Sequence, residues 1–157
     1  MKKIKNAIAN FDKDITGFVC FEQINKKQCK VTFNLFGFLP NTTHAIHIHE
    51  YGDMSNGCES LGGHYNPYDQ NHGSYEYNTK RHAGDLINNL TSDFNGNFIY
   101  TYIDDLIKVD FKKNNIIGRS VVIHKGIDDC GFGKNKESLI TGNAGKRIAC
   151  AIIGIKQ

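Results

Sequence analysis

The stretch KVTFNLF, residues 30 to 36, indicates most directly how this chain folds. Its apolar residues Val31, Phe33 and Leu35 occupy every second position, with threonine and asparagine between them. Side chains two residues apart on a β-strand project from the same face of a sheet. The alternation therefore predicts a strand that buries one face.

Similar segments lie on both sides of this stretch. NFIYTYI, residues 97 to 103, alternates in the same way and follows Asn95-Gly96, a pair typical of a two-residue hairpin turn. Further strands are predicted at KIKNAIA (3–9, with Ile4, Asn6 and Ile8 on one face), SVVIH (120–124) and IACAIIGI (148–155). No stretch shows a helical period over ten residues, so the sequence predicts an all-β sandwich or barrel.

Two long segments lack this alternation and are rich in glycine. They span residues 50 to 85 and 125 to 147, and both contain or adjoin histidines. Loops of this length in a compact domain are usually functional or disordered. We therefore expect the functional residues to lie there.

The composition predicts one globular domain over residues 1–157. Apolar residues make up 39% and charged residues 22%, and the net charge of +3 is spread without a basic run, which argues against nucleic-acid binding. No apolar run reaches the ~20 residues of a membrane span. The stretch MKKIKNAIANFDKD has no apolar signal-peptide core, so we expect a cytoplasmic protein. Five cysteines without a CxxC spacing argue against a zinc ribbon or a redox dithiol.

The chemistry is indicated by HAIHIHEYGD, residues 44 to 53. His47 and His49 stand two apart, so on a strand their imidazoles would lie side by side, in reach of one metal ion. Further candidate ligands are His64, His72, His82 and Asp85 in the first glycine-rich loop, and His124 at the end of SVVIH. Imidazole suits copper and zinc, and a carboxylate among imidazoles suits zinc. The residues alone leave two interpretations open, a two-metal site or purely structural histidines.

Short motifs with specific spacing run from one end of the chain to the other. They are GFVCFEQ, HIHEYGD, GGHYNP, NHG, RHAGDL, GRSVVIH, the pair Asp128-Asp129, and TGNAGKRIACAIIGI. In order and spacing they resemble the copper/zinc superoxide dismutase family. The resemblance implies an all-β, eight-stranded Greek-key β-barrel, a flattened immunoglobulin-like sandwich in which two long functional loops enclose the metals.

The resemblance also implies two metal sites that share one histidine. Copper would be bound by His47, His49, His64 and His124, and zinc by His64, His72, His82 and Asp85, so that His64 bridges the two ions. Asp128 would hydrogen-bond to His47 and His72 and orient both rings. His44 matches no ligand position, and we expect it to make a structural hydrogen bond.

The implied reaction is the dismutation of superoxide to dioxygen and hydrogen peroxide by redox cycling of copper. His64 would take up a proton when it leaves copper and pass it to the peroxide, and Arg147 would dock the superoxide anion. The alternative is a metal-buffering protein of the same fold that binds copper and zinc without turnover. The retained arginine and the complete ligand set favour the enzyme.

The second long loop departs from the family pattern. Lys136 stands at one of two commonly acidic positions, Ile140 at the usual lysine, and Gly126 at another common lysine position, next to Lys125. We expect the reaction to be retained and the electrostatic steering of superoxide to be rearranged.

Two cysteines match the family's intramolecular disulfide, Cys58 and Cys150. This pairing would leave Cys20, Cys29 and Cys130 as small buried or surface thiols.

The resemblance further implies a homodimer. Gly52, Ile153 and Ile155 match positions at the family's two-fold interface, although the two isoleucines would equally suit the core face of a last strand. A copper-delivery partner is a further expectation that the residues do not test.

Overall fold

The computed structural model describes residues 5–77, 80–109 and 113–157. Its strands are β1 (Asn6–Asp12), β2 (Thr16–Gln23), β3 (Cys29–Phe36), β4 (Thr43–His49), β5 (Asn89–Thr91), β6 (Asn97–Asp104), β7 (Ser120–His124) and β8 (Arg147–Ile155). The helical turns within these described ranges are two 3₁₀ segments, Gly57–Leu61 and Ala83–Asp85, and one α-helical turn, α1 (Ser138–Thr141). In the described residues, no helix is both long and apolar enough to cross a membrane.

The strands form one antiparallel sheet that curls into a nearly closed barrel. Its order is β5-β4-β7-β8-β1-β2-β3-β6. Strands that are consecutive in the chain are separated in this order where the chain passes from β3 to β4, from β5 to β6 and from β6 to β7, as in Greek-key connections. The prediction of an eight-stranded all-β barrel is confirmed.

The alternation in β3 sets the inner face of the barrel. Cys29, Val31, Phe33 and Leu35 are fully buried, while the residues between them are half-buried. They belong to one continuous apolar core that also includes Phe21 of β2. The strand predicted from KVTFNLF is confirmed, including its buried face.

The first strand presents two alanines and a phenylalanine to this core. Ala7, Ala9 and Phe11 are buried, so the face predicted to carry Asn6 and Ile8 is the outer, half-buried one. Ile4, assigned to the same face, lies outside the described residues.

The turn at Asn95-Gly96 exists but does not close a hairpin. The Gly96 N–H donates to the Asp93 carbonyl at 3.0 Å, yet β5 pairs with β4 while β6 pairs with β3. A Cβ at Gly96 would lie 2.1 Å from the Phe38 carbonyl oxygen. The turn therefore packs against the β3–β4 connection instead of joining two paired strands, and the hairpin prediction is wrong.

Strand β4 is buried on both faces, one against the core and the other against the loops. Ile46 and Ile48 are fully buried in the core, and His47 and His49 are almost equally buried on the opposite face. That outer face is covered by the two long segments, which run from β4 to β5 and from β7 to β8. Both were predicted as long loops, and this is confirmed.

Cys58 and Cys150 form a disulfide that ties the first loop to β8. The free cysteines are Cys20, Cys29 and Cys130, of which Cys29 is fully buried. The predicted disulfide is confirmed.

The last strand corrects one residue of the predicted dimer surface. Ile153 is fully buried and belongs to the core, so its assignment to an interface is wrong. Its neighbour Ile152 points outward instead, at 36% exposure, together with Ile155 at 55%. The period of two along a strand requires the outward position of Ile152, since Ile153 shares its face with Ala151, whereas Ile155 is exposed because it is the last residue of the strand.

Candidate metal centre

Two paired strands place three imidazoles side by side. His47 and His49 project from the outer face of β4, held there because Ile46 and Ile48 are anchored in the core. β4 pairs with β7, and a register irregularity between Ile123 and His124 marks the end of β7. His124 is thereby turned towards the same space, and its Nε2 lies 3.2 Å from Nε2 of His49.

A short loop segment extends the end of β4 and brings in a fourth imidazole. His49 and His64 form an isolated antiparallel bridge. On one side of it the Glu50 N–H donates to the Gly63 carbonyl at 2.9 Å, and on the other the Tyr65 N–H donates to the Ile48 carbonyl at 2.8 Å. These bonds hold His64 beside the β4 histidines.

The resulting four-histidine cluster presents four nitrogen atoms to one another. Its members are buried and each offers one ligand atom, all within 4.8 Å of each other: His47, His49, His64 and His124. The Nδ1 atom of His47 and the Nε2 atom of His64 are buried without any hydrogen-bond partner. Since buried polar atoms are normally satisfied, two orphaned nitrogens in one cluster fit the ligand atoms of a bound cation.

On the other side of each ring, the nitrogen that points away from the cluster is held by an oxygen acceptor. His49 Nδ1 donates to the Gly62 carbonyl at 2.9 Å, and His124 Nδ1 donates to the Gly145 carbonyl at 2.9 Å. His47 Nε2 lies 2.7 Å from a carboxylate oxygen of Asp128. Bonds of this kind fix the tautomer and leave the opposite nitrogen free for a metal.

A second cluster gathers around one carboxylate, with three histidines and an aspartate: His64, His72, His82 and Asp85. The Oδ1 atom of Asp85 lies 3.0, 2.9 and 3.1 Å from Nδ1 of His64, His72 and His82. Its Oδ2 atom accepts the backbone N–H groups of His82 at 2.9 Å and Gly73 at 3.0 Å, which fixes the carboxylate. Three imidazoles and one carboxylate are a donor set that suits zinc.

His64 belongs to both clusters, with one ring nitrogen on each side. Its Nδ1 faces Asp85, and its Nε2, at the opposite side of the ring, is the orphaned atom of the four-histidine cluster. The ring packs against that of His47 at a centroid distance of 3.9 Å. One imidazole thus separates two potential cation sites.

Asp128 links the two clusters through hydrogen bonds to one histidine of each. Its Oδ2 accepts from His47 Nε2 and its Oδ1 accepts from His72 Nε2, both at 2.7 Å. A Cβ on Gly142 would lie 2.1 Å from Asp128 Oδ1 and 2.5 Å from His72 Nε2, so only glycine fits there. The role predicted for Asp128 agrees with this geometry.

Electrostatics keep the four-histidine cluster neutral. Burial, with a contribution from nearby His64, lowers the pKa of both His47 and His49, and burial lowers the pKa of His64 itself. Burial also lowers the pKa of His124 to about 4. At neutral pH these rings keep lone pairs available to a metal ion.

The cluster around Asp85 is different because it holds negative charge. Burial opposes ionisation of Asp85, but hydrogen bonds from the histidines lower its pKa well below the usual range. Burial likewise opposes protonation of His72, but its hydrogen bonds to Asp128 and Asp85 raise its pKa to about 9. Without metal the site therefore holds a proton between two carboxylates, in a place that suits a divalent cation.

An open cleft of about 350 Å³ leads to the four-histidine cluster. It is lined by His49, Gly63, His64, His124, Glu137, Thr141, Asn143, Gly145 and Arg147. Arg147 is half-buried, and its guanidinium donates to the Cys58 carbonyl at 2.7 Å and to the Gly62 carbonyl. A larger cleft of about 670 Å³ is lined by residues around Tyr75 and Arg81, and none of its described lining residues is a histidine.

The structure brings every sequence-predicted ligand into one of the two clusters. His44 lies outside them, where its Nδ1 donates to the His124 carbonyl at 3.0 Å, so the structural hydrogen bond predicted for it is present.

Sequence reasoning missed two residues that brace this arrangement. Asn88 donates to Asp128 Oδ2 at 3.1 Å and to the Gly73 carbonyl at 2.7 Å. Arg81, next to a ligand in RHAGDL, forms a buried ion pair with Asp104 of β6 at 3.1 Å. No spacing in the sequence singles out Asn88, whereas Arg81 lies within the motif RHAGDL, which could have indicated a role for it.

Together, fold and site define a class of protein, an antiparallel β-barrel whose loops enclose two adjoining clusters of metal ligands that suit copper and zinc. The donor sets fit both metals, since one cluster offers four nitrogens and the other three nitrogens and one oxygen.

Comparison with known proteins gives the family. Residues 15–153 match the family model described as copper/zinc superoxide dismutase. The chain is 46% identical over 150 residues to the Cu-Zn superoxide dismutases of Humicola lutea and of Schizosaccharomyces pombe, an alignment that covers 95% of this chain and 96% of each relative. It is 44% identical to that of Paramecium bursaria Chlorella virus 1, over 95% of this chain and 78% of the relative. The chain belongs to the copper/zinc superoxide dismutase family.

A solved structure agrees in fold. The crystal structure of the clock protein EA4 superposes with a TM-score of 0.92 at 38% identity, covering 99% of this chain and 98% of that one.

Proposed function

We propose that the chain dismutates superoxide, with copper held by the four-histidine cluster and zinc held by the cluster around Asp85. The activity and both cofactors follow from membership of the family. The observation that supports these ligand sets is the placement of His64, which presents one nitrogen to each cluster.

When bound, copper supplies the one-electron redox change that oxidises one superoxide and reduces the next. The protein's part is to move a proton and to orient the anion. His64 is among the residues that line the cleft. Its buried Nε2 faces the four-histidine cluster to which the cleft leads, while Nδ1 is held on the side of Asp85. A proton carried by Nε2 is therefore within reach of a product in the cleft, and the ring serves as base and acid within one cycle.

Arg147 docks the superoxide anion in this proposal. A guanidinium has five N–H donors, and the Cys58 and Gly62 carbonyls accept two of them. The other donors remain for a small oxyanion at the mouth of the cleft. Because Cys58 is disulfide-bonded to Cys150, the disulfide also helps to fix the arginine.

Superoxide consumption and metal content, measured together, test this assignment. We expect His47→Ala to lose copper and activity together, because it removes an orphaned ligand atom. We expect Arg147→Ala to keep both metals and to consume superoxide about tenfold more slowly, since removal of one charge-assisted docking contact costs roughly 1.4 kcal/mol or more. A metal buffer would bind both ions and consume no superoxide, and that outcome would refute the enzyme.

A homodimer is part of the proposal. Tyr51, Ile152 and Ile155 are exposed, and Gly52 lies close to Ile152, since a Cβ at Gly52 would be 3.5 Å from its Cδ1 atom. Gly118 completes the patch, because the same Cβ would lie 2.3 Å from its carbonyl oxygen. An apolar patch with glycines that allow close approach suits an isologous interface. Sedimentation equilibrium of Ile152→Glu tests it, and a wild-type chain that sediments as a monomer contradicts it.

The proposal also covers organisation and location. The eight strands share one core, which supports a single domain over residues 1–157. Three of the five cysteines are free thiols, as is usual in a reducing compartment, which supports a cytoplasmic protein. A copper-delivery partner would then supply the metal, and copper loading in cells that lack such a partner tests this step.

A further inference from the structure

Arg119, on the segment that leads into β7, contacts both chain segments that carry the central histidines. Its guanidinium carbon lies 3.5 Å from the centroid of the Tyr65 ring. Its Nη1 donates to the Glu50 carbonyl at 2.7 Å, and its Nε donates to the Asn115 carbonyl at 2.8 Å. The hydrogen bond from Nε to Asn115 therefore fixes the guanidinium, and the same planar group contacts both the Tyr65 ring and the Glu50 carbonyl.

The two targets occupy equivalent positions around the bridge between His49 and His64. Glu50 directly follows His49, and Tyr65 directly follows His64. Arg119 thus holds the chain immediately beyond each histidine. A single stacked guanidinium joins the end of β4 to the loop segment from outside the cluster.

Tyr65 also connects the other ligand segments through its backbone. Its N–H donates to the Ile48 carbonyl at 2.8 Å, and its own carbonyl accepts from the Gly84 N–H at 2.9 Å. Ile48 stands between two ligands of the four-histidine cluster, and Gly84 between two ligands of the other cluster. A Cβ at Gly84 would lie 2.2 Å from the Ile48 carbonyl oxygen, so these segments are packed without spare room.

We propose that Arg119 is a positioning residue for His64, acting through the face of the Tyr65 ring and the Glu50 carbonyl. This inference rests on the proposed function, in which His64 must present one nitrogen to each metal. An imidazole shared by two sites tolerates little displacement, because a shift towards one site lengthens its distance to the other. Arg119 stacks on an aromatic face and also donates from two of its nitrogens to two carbonyls. Lysine does not reproduce this geometry.

The test compares fully metallated variants by two measurements, superoxide turnover and the EPR spectrum of bound Cu(II). We expect Arg119→Ala and Tyr65→Leu to alter the spectrum and to lower turnover about tenfold, the scale of other residues that orient metal ligands. Tyr65→Phe keeps the ring face and should match the wild type. Arg119→Lys keeps the charge without the planar group and should remain impaired.

The double variant Arg119→Ala/Tyr65→Leu separates a shared pathway from two independent losses. If both residues act through one contact, the turnover of the double variant should be no lower than that of the less active single variant. Losses that multiply to about a hundredfold would overturn the pathway through Tyr65.

A matched control addresses general destabilisation. Val31→Ala opens a cavity in the fully buried core at β3, a strand that pairs with β2 and β6, neither of which carries a ligand. It should lower the thermal midpoint and leave the EPR spectrum unchanged. The inference is refuted if Arg119→Ala and Tyr65→Leu both keep the wild-type spectrum and turnover at full metal content, or if Val31→Ala changes the spectrum in the same way. A wild-type protein that holds both metals and consumes no superoxide would refute the proposed function instead.

Discussion

Replacement of Asp128 by asparagine tests how strongly one carboxylate controls both clusters. The two imidazoles that it contacts, His47 and His72, donate to separate oxygens through Nε2, at 2.7 Å each. Those bonds hold both protons on Nε2 and leave Nδ1 for the metal. In Asp128→Asn one oxygen is replaced by an NH₂ donor, so one imidazole N–H faces another donor and its ring must rotate or change tautomer.

The magnitude follows from the loss of one hydrogen bond to a charged group. Such a bond contributes about 1.5–3 kcal/mol, which corresponds to roughly 10- to 100-fold weaker metal binding. The assay is a zinc titration of metal-free protein against a chromophoric chelator at neutral pH. We expect the dissociation constant of Asp128→Asn to rise within that range.

Asp129 provides the matched control, because it is the adjacent carboxylate in the same loop. Its oxygens accept from Ser138 Oγ at 2.7 Å and from Asn143 Nδ2 at 2.6 Å, and none of its described contacts is a histidine. Asp129→Asn should therefore leave zinc affinity within a factor of about two. Wild-type zinc affinity in Asp128→Asn, or an equal loss in both variants, would show that the orienting hydrogen bonds do not set the affinity.

Four further outcomes follow from the same structure. The two carboxylates bonded to His72 raise its pKa to about 9, although burial opposes this. Zinc should therefore displace a proton from His72 at neutral pH, and the affinity for zinc should rise with pH up to about 9. Calorimetry in buffers of different ionisation enthalpy would measure the proton that is released. The same proton stabilises the metal-free fold fully below the unfolded pKa near 6.5, and this stabilisation is lost as pH rises through 9, which urea unfolding across that window measures. Cys58→Ser should lower the free energy of unfolding by about 4–5 kcal/mol in urea titrations, because the disulfide closes a span of 92 residues. Lys125 and Lys146 are exposed and line a groove that shares Arg147 with the cleft at the four-histidine cluster. Lys125→Ala/Lys146→Ala should therefore lower the stopped-flow rate and its dependence on ionic strength, whereas Lys134→Ala, at a position outside the lining of that groove, should change neither.

The barrel could be predicted from sequence because its strands have a simple period. In β3 the apolar side chains recur at every second residue, and the fully buried set of Val31, Phe33 and Leu35 follows directly. The pair His47 and His49 was predictable for the same reason, since residues two apart on a strand share a face. The loop ligands have no such period, and their assignment came from the spacing of family motifs.

What sequence reasoning missed depends on contacts between distant segments. Arg119 and Tyr65 are 54 positions apart, and neither belongs to a period that would bring them together. The turn at Gly96 was misinterpreted because a local dipeptide specifies a tight turn but not which strands pair on either side. Ile153 was assigned to a surface because a run of apolar residues at a chain end does not reveal which face is inward until the register with β1 is known.

Strand β4 shows why fold and site are inseparable in this chain. Burial of His47 and His49 is costly unless their polar atoms find partners. The protein chain supplies partners for one nitrogen of each ring, through Asp128 and the Gly62 carbonyl, but leaves His47 Nδ1 unsatisfied. The same is true of His64, whose Nε2 is orphaned. Metal ions complete these bonds, so the free energy of metal binding is at the same time free energy of folding, and a site that binds weakly should belong to a barrel that unfolds more easily.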